Sequence, residues 1–322
     1  MKQLKAEFLF LFLLISCQGP YSALGPAGSA ARTISGMFWW LCGAGLAIWL
    51  LFVALELYAI LVKPGPHDLK KTRFFVIGGG VIFPVIIITI SIYFSLTPLP
   101  DLVKMAPQGS VVVKVSGLQW WWRVKYPLAN DQEIEVANEI WLPVNEPVQF
   151  LLSSEDVIHS FWVPSLAGKI DMIPGQTNHL SFTPTKTGHY LGSCAEFCGT
   201  SHALMRLDVI VVERNVFDEW LKKQERSVKK TGSPGETAFV SNGCISCHTV
   251  RGISSLGKIG PDLTHVGSRK RIGSGILNND ANQIHRWIDE VDLIKPEAKM
   301  PSFKSLPIEE RKALAKWLEG LK

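Results

Sequence analysis

Two long apolar runs stand close together near the start of this 322-residue chain. Residues 37–62 hold Glu56 as their single charge, and residues 74–96 hold none. A helix needs about 20 apolar residues to cross a bilayer core. In lipid each backbone N–H and C=O must bond within its own segment, so both runs are expected to be helices. The predicted start is a two-helix transmembrane hairpin spanning 37–62 and 74–96. The loop between carries Lys63, Lys70, Lys71 and Arg73, and such basic loops stay in the cytoplasm. Everything beyond Leu96 is then extracytoplasmic. Glu56 has two readings: a functional carboxylate within a span, or a group near the cytoplasmic end that reaches the interface.

Ahead of the spans, Lys2 and Lys5 precede the apolar stretch Phe8–Ile15. That is the layout of a secretory signal covering 1–16. It ends Leu14-Ile15-Ser16-Cys17, which matches a bacterial lipobox, so Cys17 would be lipidated after cleavage. An ordinary signal with an incidental cysteine is the alternative. The membrane anchor is then 17–100.

Charged residues make up 19% of the chain and apolar ones 47%, with a net charge of +5. No Lys/Arg run with interleaved aromatics occurs, so a nucleic-acid partner is not expected.

After the spans the pattern changes to short β-branched runs. These are Ser110–Val115, Ile134–Val136, Val148–Leu152, His179–Phe182 and Leu207–Val212. Turn residues separate them, among them Pro143, Asn145, Pro147, Pro174-Gly175 and Pro184. Residues 101–212 are expected to form one all-β domain, a sandwich or Greek-key barrel. Within it lies Cys194-Ala-Glu-Phe-Cys198-Gly-Thr-Ser-His202-Ala-Leu-Met205, with His159 upstream in Asp156-Val-Ile-His-Ser-Phe. Two thiols, two imidazoles and a thioether suit copper by softness. Zinc competes, but structural zinc sites are built from Cys and His, and a lone Cys-x-x-x-Cys makes a poor zinc ribbon. The two cysteines are spaced to bridge a pair of metal ions.

These stretches resemble the dinuclear copper (CuA) motif of cytochrome c oxidase subunit II. The resemblance also covers both spans and the run Gln119-Trp120-Trp121-Trp122. It implies a cupredoxin-like Greek-key fold. It implies that Cys194 and Cys198 bridge two coppers, that His159 and His202 each ligate one, that Met205 is a weak ligand and that Glu196 gives its carbonyl. In the family the same glutamate side chain faces a magnesium site shared with subunit I. The family's tryptophan for electron admission maps to Trp120; plain core packing is the other reading of that run. Many relatives start the second span with Glu-x-x-Trp, which feeds a proton channel. Here Phe74–Pro84 has no carboxylate, which puts that route in doubt.

Residues 213–231 read as a helix and a linker, and Gly232-Ser-Pro-Gly235 marks a boundary. In 232–322, Cys244-Ile-Ser-Cys247-His248 is the covalent haem c signature. A thioredoxin-like redox pair is the alternative, but no βαβ pattern surrounds it. Met300 is the expected second axial ligand, ahead of His265 and His285. Gly260-Pro261, a Met-Pro turn and an apolar stripe over Ile308–Leu321 complete a resemblance to class I cytochrome c, an all-α domain.

The resemblance implies an electron path: external donor, haem c, dinuclear copper, then haem in subunit I, where oxygen is reduced. It implies as partners the other oxidase subunits and an upstream cytochrome c or bc-type complex. The expected place is the bacterial cytoplasmic membrane, multi-pass, with the metal domains outside. A nitric oxide reductase subunit and a copper-delivery lipoprotein are the alternatives; the latter leaves the haem signature unexplained. Residues 101–212 hold 7 basic and 11 acidic residues, and 232–322 hold 13 and 10. The opposite balances, −4 and +3, favour docking of the two domains.

Overall fold

The computed structural model describes residues 19–62, 65, 69–128 and 132–322. The signal segment 1–16, Cys17 and most of the basic loop around Lys63 lie outside the described residues. Two compact units result: Arg32–Lys104, and the residues before it together with Met105–Lys322.

In the first unit the apolar runs are helical. Helix α1 covers Ser29–Leu61, and the second covers α2 Leu69–Ile77, α3 Phe83–Leu96 and α4 Leu99–Val103. Both Ser29–Leu61 and Thr72–Val103 are long and apolar enough to cross a membrane. Trp40 stacks on Phe94 at 4.8 Å and Phe52 meets Phe83 at 6.2 Å. Those pairs run in opposite sequence directions, as in an antiparallel hairpin. The expected 74–96 helix is not uniform: Gly78–Ile82 is a π-helical turn, with the Phe83 N–H bonded to Gly78 O. Pro84 explains it, since its ring displaces the carbonyl four residues back and it offers no N–H.

In the second unit ten strands form two five-stranded sheets. The strands are β1 Val111–Leu118, β2 Trp121–Pro127, β3 Glu133–Ala137, β4 Glu139–Pro143, β5 Val148–Ser154, β6 His159–Trp162, β7 Ile170–Met172, β8 Asn178–Phe182, β9 Gly188–Cys194 and β10 Arg206–Val212. The sheet orders are β3-β2-β1-β5-β8 and β4-β10-β9-β6-β7. Adjacent strands far apart in sequence, such as β1 with β5 and β4 with β10, both parallel, give the Greek-key connectivity. Alternate residues point inward, as the pleat requires. Val113, Val115, Trp122, Phe150, Leu152 and Phe161 fill the space between the sheets, all at most 1% exposed. The segment before α1 lies on the same sandwich: Leu191 N–H bonds Pro20 O, Ala27 N–H bonds Ser165 O and Ala31 N–H bonds Leu166 O.

Helix α5, Arg214–Gln224, follows β10. It buries Phe217 and stacks Trp220 on Trp141 at 5.3 Å. The stretch after it is tied down. Val228 N–H bonds Arg251 O, and the N–H groups of Thr231 and Gly232 bond the Glu236 carboxylate.

Helix α6, Pro234–Ser241, opens the last domain with Ser233 as N-cap, its hydroxyl accepting from Glu236 N–H. Proline at the first helical position and Glu three residues past the cap are strong start signals. Helix α7 is Ala281–Ile294 and α8 is Ile308–Glu319. Helices α6 and α8 cross so closely that a Cβ on Gly235 would lie 2.3 Å from Ala313 O. Phe239 and Trp317 fill the crossing at 5.1 Å. Beyond these helices the domain holds a two-residue ladder, β11 Arg271–Ile272 with β12 Leu277–Asn278.

Candidate functional site

Two thiols and two imidazoles of the sandwich gather at one end of the β4-β10-β9-β6-β7 sheet. His159 starts β6, Cys194 ends β9, and the loop to β10 carries Glu196, Cys198, His202 and Met205. Two bonds fold that loop back: Cys194 N–H to Met205 O and Ala195 N–H to Ser160 O. His159, Cys194 and Cys198 each bring a ligand atom within 4.8 Å of the others. Cys194 Sγ lies 3.8 Å from His159 Nδ1 and 3.2 Å from Glu196 O. His202 Nδ1 is 3.5 Å from Cys198 Sγ. Met205 is fully buried at the end of the loop. The Glu196 side chain is half-buried beside exposed Phe197.

The surroundings fix the donor atoms. Asp156 Oδ1 accepts from His159 Nε2 at 2.8 Å, which leaves Nδ1 as the lone-pair nitrogen toward Cys194. The other Asp156 oxygen accepts from Gln119 N–H at 2.7 Å. This carboxylate–histidine pairing is how metal-ligand imidazoles are usually oriented. Burial works to raise the Asp156 pKa, but hydrogen bonds from the Gln119 N–H and the His159 ring outweigh it and hold it low. Burial likewise works to lower the His159 pKa, and the Cys194 sulfur and Asp156 outweigh it and raise it. The two thiols share a proton: Cys198 donates to Cys194, which drops the pKa of Cys194 and pushes that of Cys198 up. Neither is in a disulfide. This soft N/S donor set, with one thiol poised as thiolate, fits copper.

The second site is a cavity of about 620 Å3 with Cys244, Cys247, His248 and Met300 on its wall. That size lies in the range of cofactor pockets. His248 Nδ1 donates to Pro261 O at 2.8 Å, since a carbonyl can only accept, so Nε2 keeps its lone pair. Burial lowers the pKa of His248 and keeps it neutral. Glycines let the backbone pass beneath the ring. A Cβ on Gly260 would fall 2.5 Å from His248 Cε1, and one on Gly257 2.4 Å from the Cys247 backbone. Two free thiols, a neutral imidazole and a thioether around one cavity fit a covalently held haem. His265 and His285 are elsewhere: His265 donates to Arg226 O, and His285 faces Asp289 across one helical turn.

The same cavity reaches the sandwich, where Gln119, Trp120, Trp121 and Arg123 line it. Trp120 is 5% exposed. Its indole N–H donates to Cys198 O at 3.0 Å, and Gln119 Nε2 donates to the same oxygen at 2.8 Å. A Cβ on Gly199 would lie 3.1 Å from Trp120 Cζ2, so the ring rests on the loop that carries the Cys198 thiol.

Sequence reasoning missed the supporting groups. Asp156 sits three residues before His159, a spacing that hinted at a partner for the ring. Gly117 has no sequence signal, yet a Cβ there would fall 2.7 Å from His159 Cδ2. Lys295 and Ser274 were also unforeseen: both are buried and both bond Trp120 O.

A membrane-type helix pair, a cupredoxin-like sandwich with a Cys/His cluster and a cytochrome c fold define a class of membrane-anchored, two-domain redox proteins. Residues 128–214 match the family described as cytochrome c oxidase subunit II, periplasmic domain, and residues 233–322 match cytochrome c. The first of these domains implies copper and the second haem c. The chain is 30% identical over 279 residues to cytochrome c oxidase subunit 2 of Bacillus subtilis, covering 80% of this chain and 77% of that one. It is 37% identical over 218 residues to the protein of the same name from Alkalihalophilus pseudofirmus, covering 66% of this chain and 62%, under two thirds, of that one. Among solved structures, the periplasmic domain of subunit II of cytochrome oxidase from Bradyrhizobium japonicum is 34% identical, covering 38% of this chain and 97% of that one, with a TM-score of 0.35. The chain belongs to the cytochrome c oxidase subunit 2 family.

Proposed function

We propose that this chain is the electron-transfer subunit of a respiratory haem–copper oxidase. The observation that carries the reading is Trp120, whose indole bonds the copper loop and which also lines the cavity of Cys244, Cys247 and His248. The cavity and the copper loop therefore share Trp120 as a common wall residue.

In this reading Cys194 and Cys198 hold a dinuclear copper centre between them, with His159, His202, Met205 and the Glu196 carbonyl completing the set. Cys244 and Cys247 would hold haem c covalently, and His248 and Met300 would ligate its iron. When bound, the two groups would supply one-electron chemistry between an external donor and haem in subunit I. The polypeptide positions and tunes them. Asp156 sets the ring of His159, and Pro261 O sets that of His248. His248 and Met300 both line the cavity, and Trp120 links its wall to Cys198 O. His/Met ligation favours a high haem potential. The Glu196 side chain is the proposed contact to magnesium at the subunit I interface. The helices at 29–61 and 72–103 anchor the chain in a bacterial cytoplasmic membrane, with Cys17 as a lipid anchor. Both metal domains face outward, toward a cytochrome c or bc-type donor.

The test is oxygen uptake by the membrane complex purified with its partner subunits and fed a reduced cytochrome donor. His159→Ala is expected to abolish uptake while the donor still reduces the haem. Uptake that persists would contradict the proposed order of the two sites.

A further inference from the structure

The C-terminal domain meets the sandwich at Lys258, whose carbonyl accepts from Arg123 at 2.7 Å, through a short stretch, 270–274, and through Lys295-Pro296. Lys270 N–H bonds Glu139 Oε2 at 2.7 Å, Arg271 forks onto Asp208 at 2.7–3.1 Å, and Ser201 Oγ donates to Pro296 O at 2.7 Å. Two side chains instead converge on one backbone atom at the centre. Lys295 Nζ donates to Trp120 O at 2.5 Å, and Ser274 Oγ donates to the same oxygen at 2.9 Å. Lys295 also reaches Ser274 Oγ at 2.8 Å and Gly273 O at 3.3 Å. Its amine thus has three acceptors for its three donors.

Lys295 is 3% exposed and Ser274 1%. A buried lysine whose partners here are carbonyls and a hydroxyl is costly, and an apolar side chain of its length would fill the space more cheaply. Ser274 is held at φ 63°, a conformation that non-glycine residues adopt at a cost. Both features make sense if the amine and the hydroxyl are there for what they hold.

We propose that Lys295, seated on Ser274, is the positioning residue for Trp120: it clamps the Trp120 carbonyl from the haem-domain side while the indole N–H is fixed on Cys198 O from the copper side. The inference rests on the reading of Trp120 as the route between the sites. The step concerned is the passage of one electron across that wall, with no bond made or broken and no proton moved. Tunnelling falls steeply with distance, so a ring free to slide off Gly199 would slow the step without altering either end. Lys295 comes from neither the copper loop nor the Cys-x-x-Cys-His segment, which lets the docking of one domain set the geometry of the other.

The experiment uses the full chain in its oxidase complex, loaded with haem and copper. Parent, Lys295→Met, Ser274→Ala and Trp120→Phe are compared. A photoexcited ruthenium tris-bipyridyl reductant injects one electron at the haem, and its onward transfer is timed. Equilibrium potentials of both centres and hydrogen exchange of peptides 117–122 and 269–275 are measured alongside. Lys295→Met is expected to slow transfer roughly tenfold or more, with unchanged potentials and with faster exchange confined to 117–122. Ser274→Ala, the milder change, is expected to act in the same direction and keeps the test available if Lys295→Met does not fold. Transfer at the parent rate in both variants, while Trp120→Phe is slow, overturns the clamp and leaves Trp120 as the route. Exchange that rises equally over 269–275 also overturns it, because the residue would then serve docking alone. Parent-like transfer in Trp120→Phe overturns the route itself.

Discussion

Gly117→Ala is a small change with a large expected consequence. The added Cβ would stand 2.7 Å from His159 Cδ2, 2.9 Å from Cγ and 3.1 Å from Cβ. Ordinary contact begins near 3.4 Å, so the imidazole must move by about 0.7 Å. It has little room, because His159 is fully buried and its edge faces Trp122 and Phe161 lies beyond. Any such shift disturbs the 2.8 Å bond to Asp156 and the aim of Nδ1 at Cys194. Overpacking of this kind costs about 1–3 kcal/mol. Loss of a metal ligand's orienting partner lowers metal affinity by roughly 10–100-fold. The assay is copper titration of the full chain against a competing chelator, with near-UV circular dichroism to show that the sandwich is intact. Gly25→Ala, where nothing lies within 4 Å, is the control. A folded Gly117→Ala protein that binds copper within about twofold of the parent would refute the reasoning, since the cost from orientation would be absent.

Gly260→Ala should act likewise on the other site: its Cβ would press on His248 at 2.5 Å, break the bond to Pro261 O and shift the haem spectrum away from six-coordinate low spin. Asp208→Asn should weaken domain docking; Asp208 is 1% exposed while the Arg271 side chain is about a fifth exposed, so about 1–3 kcal/mol is expected, less than for a fully buried pair, read from denaturant unfolding followed at the haem. Lys295 gives a pH dependence. Burial lowers its pKa from 10.5 to about 7, partly offset by the Cys198 sulfur. Between those values the unfolded chain binds a proton that the folded chain does not, so stability rises with pH by about 1.4 kcal/mol per pH unit. Below pH 7 both states are protonated and the full burial cost is present. Lys295→Met should lack this slope between pH 7 and 10 in thermal unfolding at matched ionic strength.

The candidate ligand segments were legible as clusters because ligand chemistry demands particular residue types at fixed spacing. Cys194 ends β9 and Cys198, His202 and Met205 fall on the loop after it, and Cys244, Cys247 and His248 lie on one turn, so local sequence carries them. Long strands with β-branched residues were legible too, as at 148–152 and 207–212. Strands β6 and β7 were not, being four and three residues long, and β9 contains Gly188 and Gly192, which weaken a strand pattern. Gly192 is nevertheless required, since a Cβ there would fall 2.8 Å from Trp162 O. Helix α7 had a readable signal that was passed over: Asp280 as N-cap and buried Ile284, Ile288 and Val291 on one face. The linker after α5 was read from its polarity, but polarity does not reveal that Val228 and Thr231 find backbone and carboxylate partners in the C-terminal domain. Lys295 and Gly117 were invisible for a related reason. Their roles come from contacts made across 175 and 42 residues of sequence, the first with Trp120 and the second with His159. Asp156 was partly legible from its place three residues before His159, but its bond from the Gln119 N–H spans 37 residues.

The central claim is that one chain holds a two-copper centre and a covalent haem on either side of Trp120. Electron paramagnetic resonance of the intact, metal-loaded chain, with its optical spectrum, tests this most directly. The account predicts a seven-line copper signal from one electron shared by two ions, in equal amount to a low-spin haem that resists acid–acetone extraction. A four-line signal from a single copper, or haem without copper, would contradict it.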